Sequence, residues 1–276
     1  MAFDPKEQLA NIAVVASETS HLTQAFRAWL ESHWQRPTYC PDWQAVDAVA
    51  HLATGGEFYA QVIAAGRRGT PQLPWGASDA AGARAGRAAA SKKLVEEGPA
   101  ALLAGFEQGA ARLQEVLESL REEDLARVAW HPRGLVPIGL WIGMRLNELV
   151  IHGWDIRQPH EAHAGLSPTA LPAMLMILPE MQAQFLEQRL ADGLDGIHVL
   201  RAGVTSWAFI VRDKTVTYQA QAPTVFDTCV STDPESFILL TMGRANAGAK
   251  RHSGALTLAG NTEKGQRLCE TLFRTF

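Results

Sequence analysis

Glu148 and His152 stand four residues apart in the segment NELVIHGWD, Asn147 to Asp155, which is otherwise crowded with Leu, Val, Ile and Trp. If that segment is helical, Met144, Glu148, His152 and Asp155 share one stripe, because residues three and four apart lie above one another on the same face. A carboxylate and an imidazole so placed can offer an oxygen and a nitrogen to one metal ion, the geometry that also underlies helical His-x-x-x-His zinc sites. Two ligands alone bind weakly, so a third is required. The best candidate is His51, set in VDAVAHLATGGEFY with Val46, Val49, Ala50 and Leu52 around it. The plainer reading of Glu148 and His152 is an exposed helix pair, which stabilises a helix by about 0.2–0.5 kcal/mol. Against it stand Leu146, Leu149, Val150, Ile151, Trp154 and Ile156, which leave little polar face for the pair. An ionised carboxylate in such surroundings is costly unless compensated, and a divalent cation compensates strongly.

Helices must position these residues. Apolar residues recur at helical spacing in LTQAFRAWLESHW, DAVAHLATGGEFYAQVIAAG and ALLAGFEQGAARLQEVLESL, and a fourth helix is predicted from about Ile138 to Ile156. Four such segments predict an antiparallel bundle, in which neighbouring helices project ligands into a shared core. The breaks fall at RPTYCPDW, RRGTPQLPWGASDAAG and WHPRGLVP, all rich in Pro and Gly. A connecting helix is expected over Thr169 to Leu190, and from Gly196 the pattern changes to period 2. GIHVLRA, TSWAFIV, KTVTYQAQ and FDTCVST then read as a meandering antiparallel sheet, completed by a helix, PESFILLTMGRA, a strand, GALTLAG, and a closing helix, EKGQRLCETLF. The expected architecture is an α bundle over residues 1–162 and a smaller α+β domain over 163–276.

Composition narrows the function. The 276 residues are 47% hydrophobic and 20% charged, which is globular. The formal net charge is -4, with no Lys/Arg-rich tract to track a phosphate backbone, so nucleic acid is not expected as a partner. Cys40, Cys229 and Cys269 are far apart and form no CxxC pair, and they read as reduced thiols. The start of the chain is unlike a secretory signal, and the longest nearly uncharged run, GLVPIGLWIGM, is half of a membrane span. A cytoplasmic protein with no membrane partner is expected, and its oligomeric state is left open.

RLNELVIHGWDIR together with CPDWQAVDAVAHL resembles the mycothiol-dependent maleylpyruvate isomerase family, within the broader DinB-like metalloprotein superfamily. The resemblance extends over most of the chain, because TVFDTCVSTDPESFILLTMGRA leading to GALTLAGN looks like the sterol-carrier-type domain attached to many members. It implies a DinB-like four-helix bundle binding a divalent metal, typically zinc. The ligands it implies are the His of a W-x-x-x-D-x-x-x-HL segment and the Glu and His of an E-x-x-x-H-x-x-D helix, here His51, Glu148 and His152. It also implies mycothiol or another low-molecular-weight thiol as cosubstrate, in a cis-trans isomerisation through reversible thiol addition to a double bond.

Two imidazoles and one carboxylate leave a coordination position open, the mark of a catalytic site. Asp155 and Asp47 are candidates to orient an imidazole through its other ring nitrogen, although Asp47 reads equally well as a solvated acid. Arg84 and Arg87, in GARAGRAAASKK, are candidates to hold a substrate carboxylate, which guanidinium groups grip bidentately. Cys40 reads as a small buried hydrophobe rather than a nucleophile. His131, His160 and His163 read as solvated or locally bonded loop residues, and Trp130, Trp141 and Trp154 as core. The leading expectation is a metal-dependent enzyme acting on a small unsaturated acid with a thiol, as isomerase or transferase. The alternatives are a hydrolase or lyase that activates water on the same metal, and a non-catalytic protein whose C-terminal domain holds an apolar ligand.

Overall fold

A computed structural model of the protein describes residues 4–132, 134–189 and 193–273. The chain divides into two compact units, one ending at Ala170 and the other beginning at Leu171.

The first unit is helical. Helix α1 runs over Pro5–Arg27, opened by Asp4, whose side chain accepts from the Lys6 amide at 2.9 Å. A carboxylate at this position satisfies an orphan amide, and proline at the first helical position has no amide to satisfy. The first bundle helix therefore lies earlier in the chain than its apolar spacing suggests, and α2, Glu31–Trp34, is a separate single turn. Helix α3 covers Ala45–Arg67, α4 Ala80–Glu97, α5 Pro99–Glu118 and α6 Ile138–Arg157.

Helices α1, α3, α5 and α6 form the bundle, with α4 laid against α3 and α5. Because α4 buries only Ala83 among its eighteen residues, it carries almost no amphipathic signal, and the apolar spacing predicts no helix there. Helices α3 and α5 pack closely against each other. A Cβ on Gly56 would stand 2.8 Å from the Gly109 carbonyl carbon, and one on Gly109 would stand 2.7 Å from the Ala53 oxygen, so glycine is required at both. The segment read as a plain break before α6 is a hairpin of β1, Val128–His131, and β2, Gly134–Pro137. It leads into α6 with the Ile138 amide bonded to the Arg127 oxygen at 2.8 Å. Nearly all of α6 is buried, including Trp141, Arg145 and Asp155. The apolar surroundings of Glu148 and His152 are therefore core rather than surface.

The second unit opens with α7, Leu171–Arg189, followed by β3 Gly196–Ala202, β4 Thr205–Arg212, β5 Thr215–Gln219 and β6 Thr228–Thr232. Helices α8, Pro234–Thr241, and α9, Ala247–His252, precede β7, Thr257–Gly260, and α10, Thr262–Leu272, closes the unit. The sheet order is β5-β4-β3-β6-β7. It is mixed rather than wholly antiparallel, because β6 pairs with β3 in parallel, Leu200 opposite Val230. Alternation in a sequence reports which face a side chain takes and not which strand lies beside it, so this crossover was not readable. Val199, Ala208 and Cys229 pack together with Ile197, Ala222 and Phe226, while Trp207, Phe237 and Phe273 meet edge to face. No helix among the described residues is long and apolar enough to cross a membrane.

Candidate metal centre

The bundle brings His51 of α3 against Glu148 and His152 of α6, and one ligand atom from each lies within 4.8 Å of the others. His51 Nε2 is 2.7 Å from Glu148 Oε2, and His152 Nε2 is 4.0 Å from the same oxygen. The two imidazole rings meet edge to face with centroids 4.8 Å apart. Ligand atoms about 2.0 Å from a tetrahedral zinc stand about 3.3 Å from one another, which the observed separations bracket. Two imidazole nitrogens and a carboxylate oxygen are also the donor chemistry of an open zinc site, so the residues present fit such an ion.

Behind this triad, Asp155 is fully buried and its Oδ2 lies 2.9 Å from His152 Nδ1. That contact places the Nδ1 proton toward the carboxylate and leaves Nε2 as the lone-pair nitrogen facing Glu148, the usual support for a metal-bound histidine. The Cys40 thiol donates to the same Asp155 oxygen at 3.1 Å, and the Tyr39 amide donates to the Asp155 carbonyl at 2.8 Å. The turn between α2 and α3 is therefore tied to α6 at this point. Cys40, His152 and Asp155 themselves form a second cluster of ligand-type atoms within 4.8 Å. His160 also reaches this turn, its Nε2 donating to the Pro37 carbonyl oxygen at 2.9 Å. Trp43 lies over both imidazoles, 5.1 Å from His51 and 5.6 Å from His152 between centroids, and walls the site with an apolar ring.

Arg87 reaches the site from α4. Its Nη2 donates to the His51 carbonyl at 3.0 Å, lies 3.3 Å from His51 Nε2, and stands 4.0 Å from Glu148 Oε2. Arg84, one turn earlier on α4, is exposed. Burial pushes His51 below the ordinary histidine range, with the Glu148 hydrogen bond opposing it. Burial alone would raise Glu148, but the hydrogen bond from His51 and the electrostatic influence of the His51, His152 and Arg87 side chains outweigh it and hold the carboxyl well below its usual range. A neutral imidazole beside an ionised carboxylate is the protonation state a metal ligand set requires.

The other sequence candidates fall elsewhere. Asp47 accepts from the Gln44 amide at 2.9 Å and closes the start of α3. His131 stacks edge-on against Trp141, and His163 is exposed. Trp141 is completely buried, while Trp154 is tied through its indole N–H to the Ala164 oxygen at 2.8 Å. Two participants were given no role from the sequence, Trp43 and Arg145. Trp43 stands in the W-x-x-x-D-x-x-x-HL segment eight residues before His51, but nothing in that spacing says that its ring packs on the imidazoles. Arg145 did carry one, as a lone cation in the otherwise uncharged run from Gly134 to Asn147.

A family model described as the mycothiol maleylpyruvate isomerase N-terminal domain matches residues 15–157, and one described as the SCP-2 sterol transfer family matches residues 184–273. Among solved structures, the chain is similar to a mycothiol-dependent maleylpyruvate isomerase at 18% identity and TM-score 0.60, covering 93% of each chain. A histidine-to-alanine mutant of a mycothiol-dependent maleylpyruvate isomerase is similar at 17% identity, TM-score 0.60 and the same coverage. At this identity the likeness is one of fold, a helical region followed by a sterol-carrier-like domain. No curated protein matches the chain.

Proposed function

The chain belongs to the mycothiol maleylpyruvate isomerase N-terminal domain family, and from that premise we propose that it is a divalent-metal enzyme that uses a low-molecular-weight thiol on a small unsaturated acid. The supporting observation is the convergence of His51, Glu148 and His152 within 4.8 Å, with Asp155 bonded to the back of His152. His51, Glu148 and His152 hold the ion, zinc by their donor set, and Asp155 keeps His152 in the tautomer that presents Nε2. When bound, such an ion supplies a coordination position that lowers the pKa of a thiol or water and polarises a carbonyl.

In the proposed isomerisation, a thiolate sulfur bonds to one alkene carbon, the former double bond rotates as a single bond, and expulsion of the thiolate restores the alkene in the other geometry. No atom is gained or lost. Arg87, beside Glu148 and open to the site, holds the substrate carboxylate so that only the far half of the molecule turns. Trp43 keeps the site apolar, which limits competition from water for the adduct. The thiol is mycothiol or a thiol of the same size class, and transfer of the thiol to the acid is the same chemistry stopped at the adduct.

The test is turnover of unsaturated diacids by the purified protein with and without thiol, alongside metal content in wild type and His152→Ala. Isomerisation that requires both thiol and metal supports the reading. Turnover of a small metabolite without thiol would instead favour water activation, and an absence of metal in the wild-type protein would leave ligand binding as the remaining reading.

A further inference from the structure

Helix α4 is not held to the bundle as its neighbours are. Helices α3 and α5 bury Leu52, Phe58, Leu102 and Phe106. The two large apolar side chains of α4, Leu94 and Val95, stand together near its end and are only half-buried, and ahead of them the inward stripe is Ala83, Gly86, Arg87, Ala90 and Ser91. Between this stripe and the α3–α5 pair lies a cleft of about 340 Å³, lined in part by Thr54, Glu57, Ala90 and Gly109. The helix is instead stabilised from within. Seven of its eighteen residues are alanine, the best helix former. The Asp79 carboxylate accepts from the Gly82 amide at 2.7 Å, and Lys92 and Lys93 pair with Glu96 and Glu97 one turn on, at 3.6 and 3.7 Å. Such a segment stays helical when it parts from its neighbours.

Both of its ends can turn. Gly76 ahead of α4 and Gly98 behind it have φ of 64° and 89°, and a Cβ on either would meet nothing within 4 Å, so glycine serves there for backbone freedom rather than for space. Gly98 alone separates α4 from α5. The polar contacts of the helix lie beside the metal centre. Ser91 Oγ is hydrogen-bonded to Thr54 Oγ1 at 3.0 Å, and Arg87 Nη2 donates to the His51 carbonyl at 3.0 Å while standing 3.3 and 3.4 Å from the two His51 ring nitrogens. Contacts of this kind are exchanged for bonds to water when they open, so each holds the helix only modestly.

We infer that α4 is a lid over the metal centre, hinged at Gly76 and Gly98 and latched to α3 by Arg87 and Ser91. Segments with few buried apolar contacts open at a free energy well below that of global unfolding. Lifting α4 as an intact helix uncovers His51 and Glu148 and leaves α3 and α6, which carry the three ligands, undisturbed. Its role as a cover rests on the metal-centre reading of the residues beneath it; its motion does not.

Thiol labelling under native conditions tests the motion, with wild type supplying the background from its own cysteines. Ala83 is 3% exposed and Val49 of α3 has no exposure. Ala83→Cys is expected to react with an aromatic disulfide reagent roughly a hundredfold faster than Val49→Cys and almost independently of low urea, whereas the Val49→Cys rate should rise with urea as global unfolding does. Equal rates with equal urea dependence would mean that α4 opens only with the whole unit, and would overturn the lid. Ser91→Ala tests the latch and the cover together. It is expected to speed Ala83→Cys labelling about fivefold, the loss of one net hydrogen bond, and to speed release of the metal to a chelating dye by the same factor in a protein whose circular dichroism is unchanged. Faster labelling with unaltered metal release would overturn α4 as the cover of the centre. Labelling needs neither metal nor substrate, so a mobile α4 in a protein that carries no ion would count against the proposed reaction and not against the lid.

Discussion

Asp155→Asn removes one negative charge and almost no volume from a side chain with no exposure. In the wild type, Asp155 Oδ2 accepts from His152 Nδ1 at 2.9 Å and from the Cys40 thiol at 3.1 Å. An amide can accept from His152 only through its oxygen, and such a neutral bond is about half as strong as the charge-assisted one. If the amide nitrogen faces Nδ1 instead, the imidazole proton must move to Nε2, the atom needed for the ion. Both routes leave the three ligands in place and weaken only their support. Removing such an outer contact typically costs ten- to a hundredfold in metal affinity, or about 1.4–2.7 kcal/mol. Competition with a chelating dye at neutral pH measures this, with His152→Ala as the reference for loss of a ligand itself. A dissociation constant equal to wild type, in an Asp155→Asn protein whose circular dichroism is unchanged, would refute the assignment of Asp155 as the orienting group.

Cys40→Ser should leave metal content at the wild-type level by elemental analysis, because a hydroxyl can donate to Asp155 as the thiol does; loss of the ion would make Cys40 a ligand. Gly56→Ala, which on an open helix would gain about 1 kcal/mol, should instead destabilise by about 1–3 kcal/mol in urea, since its Cβ would lie 2.8 Å from the Gly109 carbonyl carbon. In the second unit, His198 is buried between Thr228 Oγ1 at 2.9 Å and the Leu194 oxygen at 2.5 Å, and burial lowers its pKa. The unfolded chain then takes up a proton before the folded one, so stability should be full above about pH 6.5 and should fall as the pH drops from there toward the folded pKa. Urea titrations across that window should show a smaller slope for His198→Gln, and an equal slope would remove His198 as the cause.

How far the fold was legible depended on whether its signal was local. Helices α3, α5 and α6 bury broad apolar faces and were placed by periodicity alone. Helix α1 was placed too late in the chain, because its apolar stripe is sparse and the Asp4-Pro5 start is a short signal. The exposed α4 gave periodicity nothing to detect, although Asp79 accepts from the Gly82 amide at 2.7 Å and marks its beginning. Strands β3 to β7 were legible one by one, and their order was not. The placement of β6 beside β3 depends on a crossover after β5, which no alternation records.

The site divides along the same line. Glu148, His152 and Asp155 sit on one stripe of one helix, so spacing found them, and the facing helix placed His51 opposite. Cys40 and Trp43 reach the site because a turn folds back, and their contacts with Asp155 and the imidazoles are long-range facts. Arg145 is the instructive case, since its signal was local and still unread. It shares the Glu148 stripe, and a charge inside an apolar helix calls for the same explanation there as a carboxylate does. Continued by one turn, the two facing stripes run His51, Gly55, Tyr59 on α3 and His152, Glu148, Arg145 on α6. The metal ligands occupy one end and a cation opposite a glycine the other. At that end the Arg145 and Arg87 guanidinium groups pack against Gly55, where a Cβ would stand 2.8 Å and 3.1 Å from their nearest nitrogens. The two ends are therefore expected to separate by mutation, with metal content and urea stability measured for each variant: His152→Ala losing the ion, and Gly55→Ala losing stability by displacing the Arg145 guanidinium.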